Sequence, residues 1–429
     1  LAARGLIQDC TDRDGLAARL EAGPLTLYYG CDPTAPSLHH GNLIGLIMLR
    51  RFLDAGHRPI ALAGGATGMI GDPGGRSEER NLLDEETLAA NVAAIKAQIT
   101  RILGGHDGWQ LVDNLEWTGG MGVLEFLRDV GKHVTVNQML ARESVKARIA
   151  SEHGISYTEF SYMLLQANDY LWLHQHHGCE LQIGGSDQWG NILSGVDLIR
   201  RRTGGTAVHG LCWPLLTAAD GTKLGKTTGA RVWLDPALTT PYAFHQHWMA
   251  TADADLERML LQFTLLPVAD IQALAAAHAE APQRREGQRV LAREVTTLVH
   301  GAAEAQAAEG AAAVLFGGDP RAASPAALGA VAAEVPVAGL AAGESLAEGV
   351  DLVPLLARTG LVGSLGEARR QLAQGGVSVN GEKAGEGRTL GPEDLLHERW
   401  ILLRRGKREW AVVDVTAPAE ARRGGPQRL

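Results

Sequence analysis

Short apolar runs alternate with longer helical patterns through the first half of the chain. Residues 26–29 and 59–63 predict buried strands, each followed by glycine, and the spacing over 43–53 predicts a helix between them. Because a strand–helix–strand order gives a parallel sheet, ligands are expected at the carboxyl ends of these strands. The first half therefore predicts an α/β domain.

The second half of the chain has a different pattern. Residues 235–318 carry apolar positions at helical spacing, whereas 319–350 are rich in Ala, Gly, Pro and Glu and predict a linker. A further small domain is expected over 351–415, where residues 377–382 predict a strand entering a tight turn at Asn380-Gly381. The last residues, 416–429, predict a disordered tail.

Composition narrows the class of protein. A chain of 429 residues with 45% hydrophobic and 21% charged residues predicts a soluble protein of two to three domains. No apolar run approaches the ~18 residues of a membrane span, and four scattered cysteines favour a cytoplasmic protein without disulfides or structural zinc. The net charge is −9, but residues 351–429 carry 13 Lys and Arg against 10 Asp and Glu, which suggests local RNA contact.

Two distant segments predict phosphate chemistry. Residues 30–42 place His39, Gly41 and Asn42 at a predicted strand-to-helix turn, where backbone amides attract phosphate. Residues 219–227 place Lys223 and Lys226 on a Gly-rich loop that can fold over a triphosphate. A lone histidine or a lysine loop is often only structural or exposed, but the two segments together predict adenylyl transfer. The second lacks the spacing of a Walker loop.

The predicted helix over 157–173 carries a polar stripe. Tyr162, Gln166 and Asp169 fall at i, i+4 and i+7 on one face, and their neighbours are mostly apolar. The stripe is either a solvated face or, because buried polar groups need partners, the wall of a pocket for a small polar ligand. Tyr28, at the end of the first strand, could close the same pocket.

Loops after the predicted strands add further candidates. Asp72 is either a turn residue or a ligand for an ammonium group, and Arg76 and Arg80 either extend a positive lining or lie on the surface. Gly185 and Asp187 follow another strand, which places the carboxylate to accept hydrogen bonds from ribose hydroxyls.

With these motifs the chain resembles the class I aminoacyl-tRNA synthetases, and within them the bacterial tyrosyl-tRNA synthetases. Residues 39–42 are similar to the HIGH element and residues 223–227 to the KMSKS loop, and the likeness extends over 28–35, 64–73, 160–169, 181–191 and 351–415. It implies a Rossmann-type catalytic domain over 1–234 with an inserted dimerisation segment and a helical anticodon-binding domain over 235–318. A ribosomal-protein-type RNA-binding domain with the αL motif is expected over 351–415.

The resemblance also implies roles for individual residues. The phenol of L-tyrosine would be held by Tyr28 and Asp169, and its ammonium by Asp72, Tyr162 and Gln166, with Gln182 and Gln188 bordering the pocket. The α-phosphate and departing pyrophosphate would be stabilised by Thr34, His39, Lys223, Lys226 and Thr227. ATP would further contact Gly30, Asp32, Gly41, Asn42, Gly185 and Asp187, and tRNA would contact Arg76, Arg80, Arg369, Arg370 and Lys383.

The same likeness implies tyrosine–tRNA ligation by a homodimer, with residues 126–149 near the interface. ATP is expected as a substrate accompanied by Mg²⁺, without a metal held by protein side chains. Two positions depart from the family: Tyr29 stands where a small residue is usual near the ribose, and Arg76 replaces a lysine.

Three alternatives stay open from the sequence. Tryptophanyl-tRNA synthetase shares the fold but has no need of the pair Tyr28 and Asp169. An RNA-binding paralogue without catalysis would not need His39, Lys223, Lys226 and Asp187. A free-standing small-molecule adenylyltransferase would not need residues 351–415.

Overall fold

The computed structural model describes residues 1–73, 83–150, 154–216 and 231–419. The chain folds into two compact units, one formed by residues 1–234 with 251–287 and the other by 235–250 with 288–429. Each unit has its own sheet and its own buried core.

The first unit is built on a six-stranded sheet in the order β1-β6-β5-β2-β3-β4. Strands β2 to β6 run parallel, and the short β1 pairs antiparallel with β6. The strands are β1 (Asp9–Cys10), β2 (Thr26–Cys31), β3 (Arg58–Ala63), β4 (Gln110–Asp113), β5 (Cys179–Gly185) and β6 (His209–Trp213). The central strands β2, β3 and β5 are buried along most of their length, as expected of a parallel sheet that helices cover on both faces. The predicted parallel-sheet α/β class is confirmed.

The helices of the first unit include both predicted segments. They are α1 (Arg13–Glu21), α2 (His40–Asp54), α3 (Glu85–Leu103), α4 (Leu115–Thr118), α5 (Val123–Asp129), α6 (Val136–Leu140), α7 (Glu143–Ile149), α8 (Tyr157–His177) and α9 (Trp189–Thr203). Of these, α2 extends 43–53 in both directions, and α8 extends 157–173 at its carboxyl end only. After α10 (Pro241–Met249), which belongs to the second unit, the first unit continues with α11 (Asp253–Phe263) and α12 (Val268–Glu280).

Helix α8 packs against the sheet and carries the predicted polar stripe. Ser156 caps its start by accepting from the Glu159 amide at 3.2 Å, and Gly178 ends it at a φ of 61°, a conformation that glycine adopts without strain. Its Met163 and Leu164 join Tyr28 and Tyr170 in the core against the sheet. Because this face is buried, its polar side chains must find partners inside the protein.

The second unit combines helices with a mixed sheet. Its remaining elements are α13 (Glu286–His300), α14 (Ala302–Leu315), α15 (Pro325–Glu334), β7 (Val337–Ala338), β8 (Val350–Asp351), α16 (Leu352–Arg358), α17 (Leu365–Ala373), β9 (Val377–Val379), β10 (Glu382–Ala384), β11 (Thr389–Leu390), β12 (Trp400–Arg405) and β13 (Glu409–Asp414). The five-stranded sheet runs β10-β9-β12-β13-β7, and β11 pairs separately with β8. The predicted turn is present, with Asn380 and Gly381 at φ of 48° and 89° between β9 and β10.

In place of the predicted linker over 319–350, the structure has helix α15 and strand β7. Ser324 caps α15 by accepting from the Ala327 amide at 3.2 Å, and Leu328 and Val331 are fully buried beside Trp400. Alanine gives little contrast between helix faces, which is why the composition concealed this helix. β7 then adds to β13 in parallel, so the segment is part of the unit's core.

The helical region 235–318 is also divided differently from the prediction. Helices α11 and α12 belong to the first unit, whereas α10, α14 and nearly all of α13 belong to the second. Of the predicted tail, Thr416 lies in a turn and 417–419 are irregular, with the Gly339 amide donating to the Pro418 carbonyl at 2.8 Å, and 420–429 lie outside the described residues. Over the described ranges, no helix has the length and apolarity needed to cross a membrane.

Candidate active site

The predicted site residues converge where the parallel strands of the first unit end. Tyr28 lies on β2, Asp72 lies beyond the carboxyl end of β3, and Gln182 lies on β5. Helix α8 brings Tyr162 and Asp169 against them, because Tyr162 bonds to a residue just after β2 and Asp169 lies close to Tyr28. The carboxyl ends of parallel strands are the usual ligand site of such sheets.

Asp169 is a buried carboxylate with two fixed donors. It is 2% exposed, and it accepts from Asn114 Nδ2 at 2.9 Å and from Trp117 Nε1 at 2.8 Å, one on each oxygen. Burial raises its pKa to about 7, while the two donors oppose that rise by favouring the charged form. Each carboxylate oxygen can accept a further bond, so the oriented side chain retains the capacity to bind a ligand donor.

Asn114 and Trp117 are candidate site residues that the sequence reasoning missed. Asn114 is held by the Ala66 amide, which donates to its Oδ1 at 2.7 Å, and its Nδ2 also reaches Thr67 Oγ1 at 3.0 Å. Both residues follow the carboxyl end of β4, so polar side chains directly after that strand were the available signal.

The Tyr28 hydroxyl is buried near Asp169. Tyr28 is 2% exposed, its ring lies 5.4 Å from that of Tyr170, and its hydroxyl has no hydrogen-bond partner among the residues that the structure describes. Burial raises its pKa well above the usual value, and the nearby Asp169 charge adds to that rise. A buried hydroxyl requires a partner, which a ligand hydroxyl between Tyr28 and Asp169 would supply.

A second polar cluster surrounds Tyr162. Its hydroxyl donates to Asp32 Oδ2 at 2.7 Å, while Thr67 Oγ1 donates to Asp32 Oδ1 at 2.7 Å. Burial raises the pKa of Tyr162 well above its usual value, and the charges of Asp32, Asp72 and Asp169 add to it. Three carboxylates around one phenol create a negative region suited to an ammonium group.

Glutamines complete this cluster. Gln188 Nε2 donates to the buried Asp72 at 2.5 Å, and Gln166 Nε2 donates to Gln188 Oε1 at 3.3 Å. Asn191 Nδ2 donates to Gln166 Oε1 at 3.0 Å. The predicted stripe on α8 is therefore not a solvated face, because its polar groups are bonded inside the protein. Gln182 is 3% exposed, and its Oε1 has no partner within the described ranges.

The start of α2 fixes the imidazole of His39. His39 is the N-cap, and its Nδ1 accepts from the Gly41 amide at 3.0 Å, while its own amide donates to Asn42 Oδ1 at 3.2 Å. Because Nδ1 accepts, the neutral ring carries its proton on Nε2, an N–H donor of the kind that suits a phosphate oxygen. A Cβ at Gly41 would lie 2.7 Å from the His39 ring, so this turn requires glycine.

Tyr29, where the family usually has a small residue, packs its ring against Gly45 of α2. Tyr29 lies on the opposite face of β2 from Tyr28, and a Cβ on Gly45 would lie 2.2 Å from the Tyr29 ring. The ring of Trp213 lies 5.6 Å away. Burial raises the pKa of Tyr29 well above its usual value, and a hydrogen bond with Asn42 opposes the rise. Tyr29 therefore sits beneath Asn42, one of the predicted ATP residues.

The remaining predicted site residues lie at the sheet edge, on the second unit or outside the described residues. Gly30, Thr34 and Asp187 are exposed at the same edge of the sheet, and Gly185 is buried beside Asp187 Oδ1. Arg369, Arg370 and Lys383 are exposed on the second unit. Arg76, Arg80, Lys223, Lys226 and Thr227 lie outside the described residues. Within the described ranges, no cluster of three or more His, Cys, Asp or Glu side chains could hold a metal ion.

The chain matches two known protein families. The family described as tRNA synthetases class I (W and Y) matches residues 20–317, and the Tyrosine–tRNA ligase SYY-like C-terminal domain matches residues 330–413. Tyrosine–tRNA ligase of Mycobacterium bovis is 52% identical over 96% of this chain and 97% of its own. That of Opitutus terrae is 50% identical over 96% and 98%.

Solved structures show the same fold. A C-terminally truncated mitochondrial tyrosyl-tRNA synthetase of Aspergillus nidulans is 32% identical, covers 74% of this chain and 93% of its own, and superposes with a TM-score of 0.66. A tryptophanyl-tRNA synthetase of Encephalitozoon cuniculi, 15% identical over 70% of this chain and 85% of its own, has a TM-score of 0.53 and shares the fold alone.

The chain belongs to the class I tRNA synthetases of the tryptophan and tyrosine group. The match of its C-terminal domain and the relatives of about 50% identity identify the amino acid as tyrosine. The activity of the chain is that of a tyrosine–tRNA ligase. The predicted enzyme activity is confirmed, and the tryptophanyl, non-catalytic and free-standing adenylyltransferase alternatives are set aside.

Proposed function

We propose that the pocket between β2 and α8 binds the side chain of L-tyrosine, with Tyr28 and Asp169 as ligands of its phenol. The observation that carries the proposal is the buried Tyr28 hydroxyl without a described partner, close to a carboxylate held by two donors. Phenylalanine would leave the Tyr28 hydroxyl without a partner and would give Asp169 no donor beyond Asn114 and Trp117. Tyrosyl-tRNA synthetases as a class discriminate against phenylalanine by ~10⁵-fold, and the same discrimination is expected of this pocket.

The ammonium of the substrate would lie in the negative region around Tyr162. Asp72, Tyr162 and Gln166 would hold it, and Gln182 and Gln188 would border the amino-acid pocket. The bond from Gln188 to Asp72 supports this role, because it fixes the orientation of the carboxylate. The substrate carboxylate is then directed toward the start of α2.

Mg-ATP would bind across the carboxyl edge of the sheet. The Nε2–H of His39 and the side chain of Thr34 would contact phosphate, while Asn42, Gly185 and Asp187 would contact the ribose. Gly30, Asp32 and Gly41 would line the approach of the nucleotide. Lys223, Lys226 and Thr227 would bind the β- and γ-phosphates, a role proposed from their motif alone.

Catalysis in this proposal requires no covalent intermediate with the protein. A carboxylate oxygen of tyrosine attacks the α-phosphorus, the bond to the bridging oxygen breaks, and pyrophosphate leaves. The terminal ribose hydroxyl of tRNA(Tyr) then attacks the activated carbonyl and releases AMP. Side chains contribute by positioning the reactants and by stabilising charge on the phosphates.

The second unit would bind tRNA. Arg369 and Arg370 on α17 and Lys383 on β10 are exposed cations, which suits contact with a phosphate backbone. Arg76 and Arg80 are proposed as further contacts, and the anticodon-binding helices over 235–318 and the RNA-binding domain over 351–415 belong to the same proposal. A cytoplasmic location fits these substrates.

A homodimer would cover an exposed apolar surface on α5, α6 and α7. Val123, Leu124, Val136 and Ile149 are 74%, 83%, 58% and 50% exposed. Apolar groups this exposed mark interaction surfaces, and a second copy is the proposed occupant. Sedimentation velocity should give a dimer for the native chain and a monomer for Leu124→Glu. A monomeric native chain would refute the assignment.

Tyrosine-dependent ATP–pyrophosphate exchange tests the pocket. Asp169→Ala should lose exchange with tyrosine, whereas Asp54→Ala, which removes an exposed carboxylate paired with Arg50, should retain it. Tryptophan and phenylalanine serve as competing amino acids. Near-normal exchange by a folded Asp169→Ala variant would contradict the phenol assignment.

A further inference from the structure

The start of α2 is tied to the segment that follows residue 230. His39 and Trp233 are partners in an antiparallel bridge. The His40 amide donates to the Val232 carbonyl at 3.1 Å, and the Leu234 amide donates to the Leu38 carbonyl at 2.8 Å. These two bonds flank the His39 imidazole and hold the backbone around it in register with residues 232–234.

Side chains on this bridge form an aromatic and cationic stack. The Trp233 ring centroid lies 6.4 Å from that of His39, and the Arg231 guanidinium carbon lies 5.1 Å from the Trp233 ring centroid. A cation over an indole face is attracted by the ring quadrupole, so the exposed Arg231 has a preferred position. Burial lowers the pKa of the neighbouring His40, and the Arg231 charge lowers it further, which places that charge near the turn.

We propose that Arg231, positioned by Trp233, binds the phosphate groups of ATP and of pyrophosphate beside His39. The inference rests on the proposed phosphate role of His39. Guanidinium offers planar paired donors that match phosphate oxygens, and its charge persists at every working pH. Trp233 touches no substrate in this proposal and acts as a positioning residue, since it holds Arg231 on one side and borders His39 on the other.

A purely structural role for Arg231 would have different consequences. If the side chain only stabilised the bridge at Trp233, its loss would impair tyrosine and ATP binding together. A phosphate ligand affects ATP and pyrophosphate alone, and more strongly at low salt. The KM values for the three substrates therefore separate the two roles.

The test compares Arg231→Ala and Arg231→Lys in ATP–pyrophosphate exchange, with ATP, pyrophosphate and tyrosine varied in turn. Arg231→Ala should raise the KM for ATP and for pyrophosphate by about 10- to 100-fold, the range expected for losing one charge-assisted bond, with the KM for tyrosine within about twofold. Arg231→Lys should recover part of the loss, because the charge returns without the planar donors. Arg101→Ala, which removes an exposed arginine on α3, is the matched control.

Two results would overturn the inference. One is an Arg231→Ala variant whose KM values for ATP and pyrophosphate equal those of Arg101→Ala. The other is an equal rise in the KM for tyrosine, which would indicate a structural role. His39→Ala is measured alongside: unchanged exchange by that variant would instead remove the proposed phosphate site, and the two failures are thereby distinguished.

Discussion

Trp117→Phe isolates one of the two donors that orient the Asp169 carboxylate. The change removes the Nε1–H that lies 2.8 Å from Asp169 Oδ1 but keeps an aromatic ring against Trp172, whose centroid lies 4.1 Å away at an interplanar angle of 12°. The carboxylate retains only Asn114 as a described donor. The charged form of Asp169 should therefore be less favourable in the variant.

The magnitude follows from the bond that is lost. A hydrogen bond to a charged group contributes about 1.5–3 kcal/mol, and 1.36 kcal/mol corresponds to one pKa unit. The pKa of Asp169, which burial has already raised to about 7, should rise by a further ~1 to 2 in Trp117→Phe. At pH 7.5 roughly three quarters of the native carboxylates are ionised, against roughly a quarter or fewer in the variant.

The assay is kcat/KM for tyrosine in ATP–pyrophosphate exchange between pH 6 and 9. In the native enzyme this parameter should rise through pH 7 as Asp169 ionises, and in Trp117→Phe the rise should move to higher pH. Trp172→Phe is the control, because it alters the same stack without removing a donor to Asp169. An unshifted profile for Trp117→Phe, with a native KM for tyrosine, would refute the reasoning.

Burial of Asp169 also predicts a dependence of stability on pH. Its pKa is about 7 in the folded protein against the reference 3.8. The folded state binds the Asp169 proton more tightly than the unfolded state does. The free energy of unfolding that this proton contributes is fully present below the unfolded pKa of 3.8, and it is lost as pH rises from there through about 7. Gly45→Ala should lower the free energy of unfolding by about 1–3 kcal/mol because its Cβ would lie 2.2 Å from the Tyr29 ring. In urea denaturation this loss should shrink when Tyr29 is also replaced by Ala, and an unchanged loss would contradict the packing argument. Arg148→Met should cost about 3–5 kcal/mol, because it leaves Glu159, 2.5 Å away and 1% exposed, as a buried charge. Arg148→Met combined with Glu159→Met should recover most of that stability, and a double variant as unstable as the single one would contradict it.

The sequence predicted the parts of the site that local patterns encode. Tyr162, Gln166 and Asp169 share a helix face by spacing alone, and His39 with Gly41 marks a strand-to-helix turn. Such signals depend on residues close together in the chain. The predicted fold class succeeded for the same reason, since apolar runs and helical periods are local.

Residues that act across long sequence separations were not predicted. Asn114 and Trp117 reach Asp169 from more than 50 positions away, and only the pairing of β3 with β4 brings them there. The fit of Tyr29 against Gly45 likewise depends on how α2 packs on β2. Helix α15 was missed for another reason, because the alanines around its buried Leu328 and Val331 give no amphipathic pattern.

The addition of β7 to the far edge of the C-terminal sheet limits how this chain can be shortened. A fragment that starts at residue 351 would lack the strand paired with β13, and it would uncover Trp400 and Trp410, which pack against α14 and α15. Unpaired edges and exposed indoles favour aggregation. A fragment intended to carry the RNA-binding surface alone should therefore begin no later than α14, and a deletion of the domain over 351–415 should remove α14 and α15 with it.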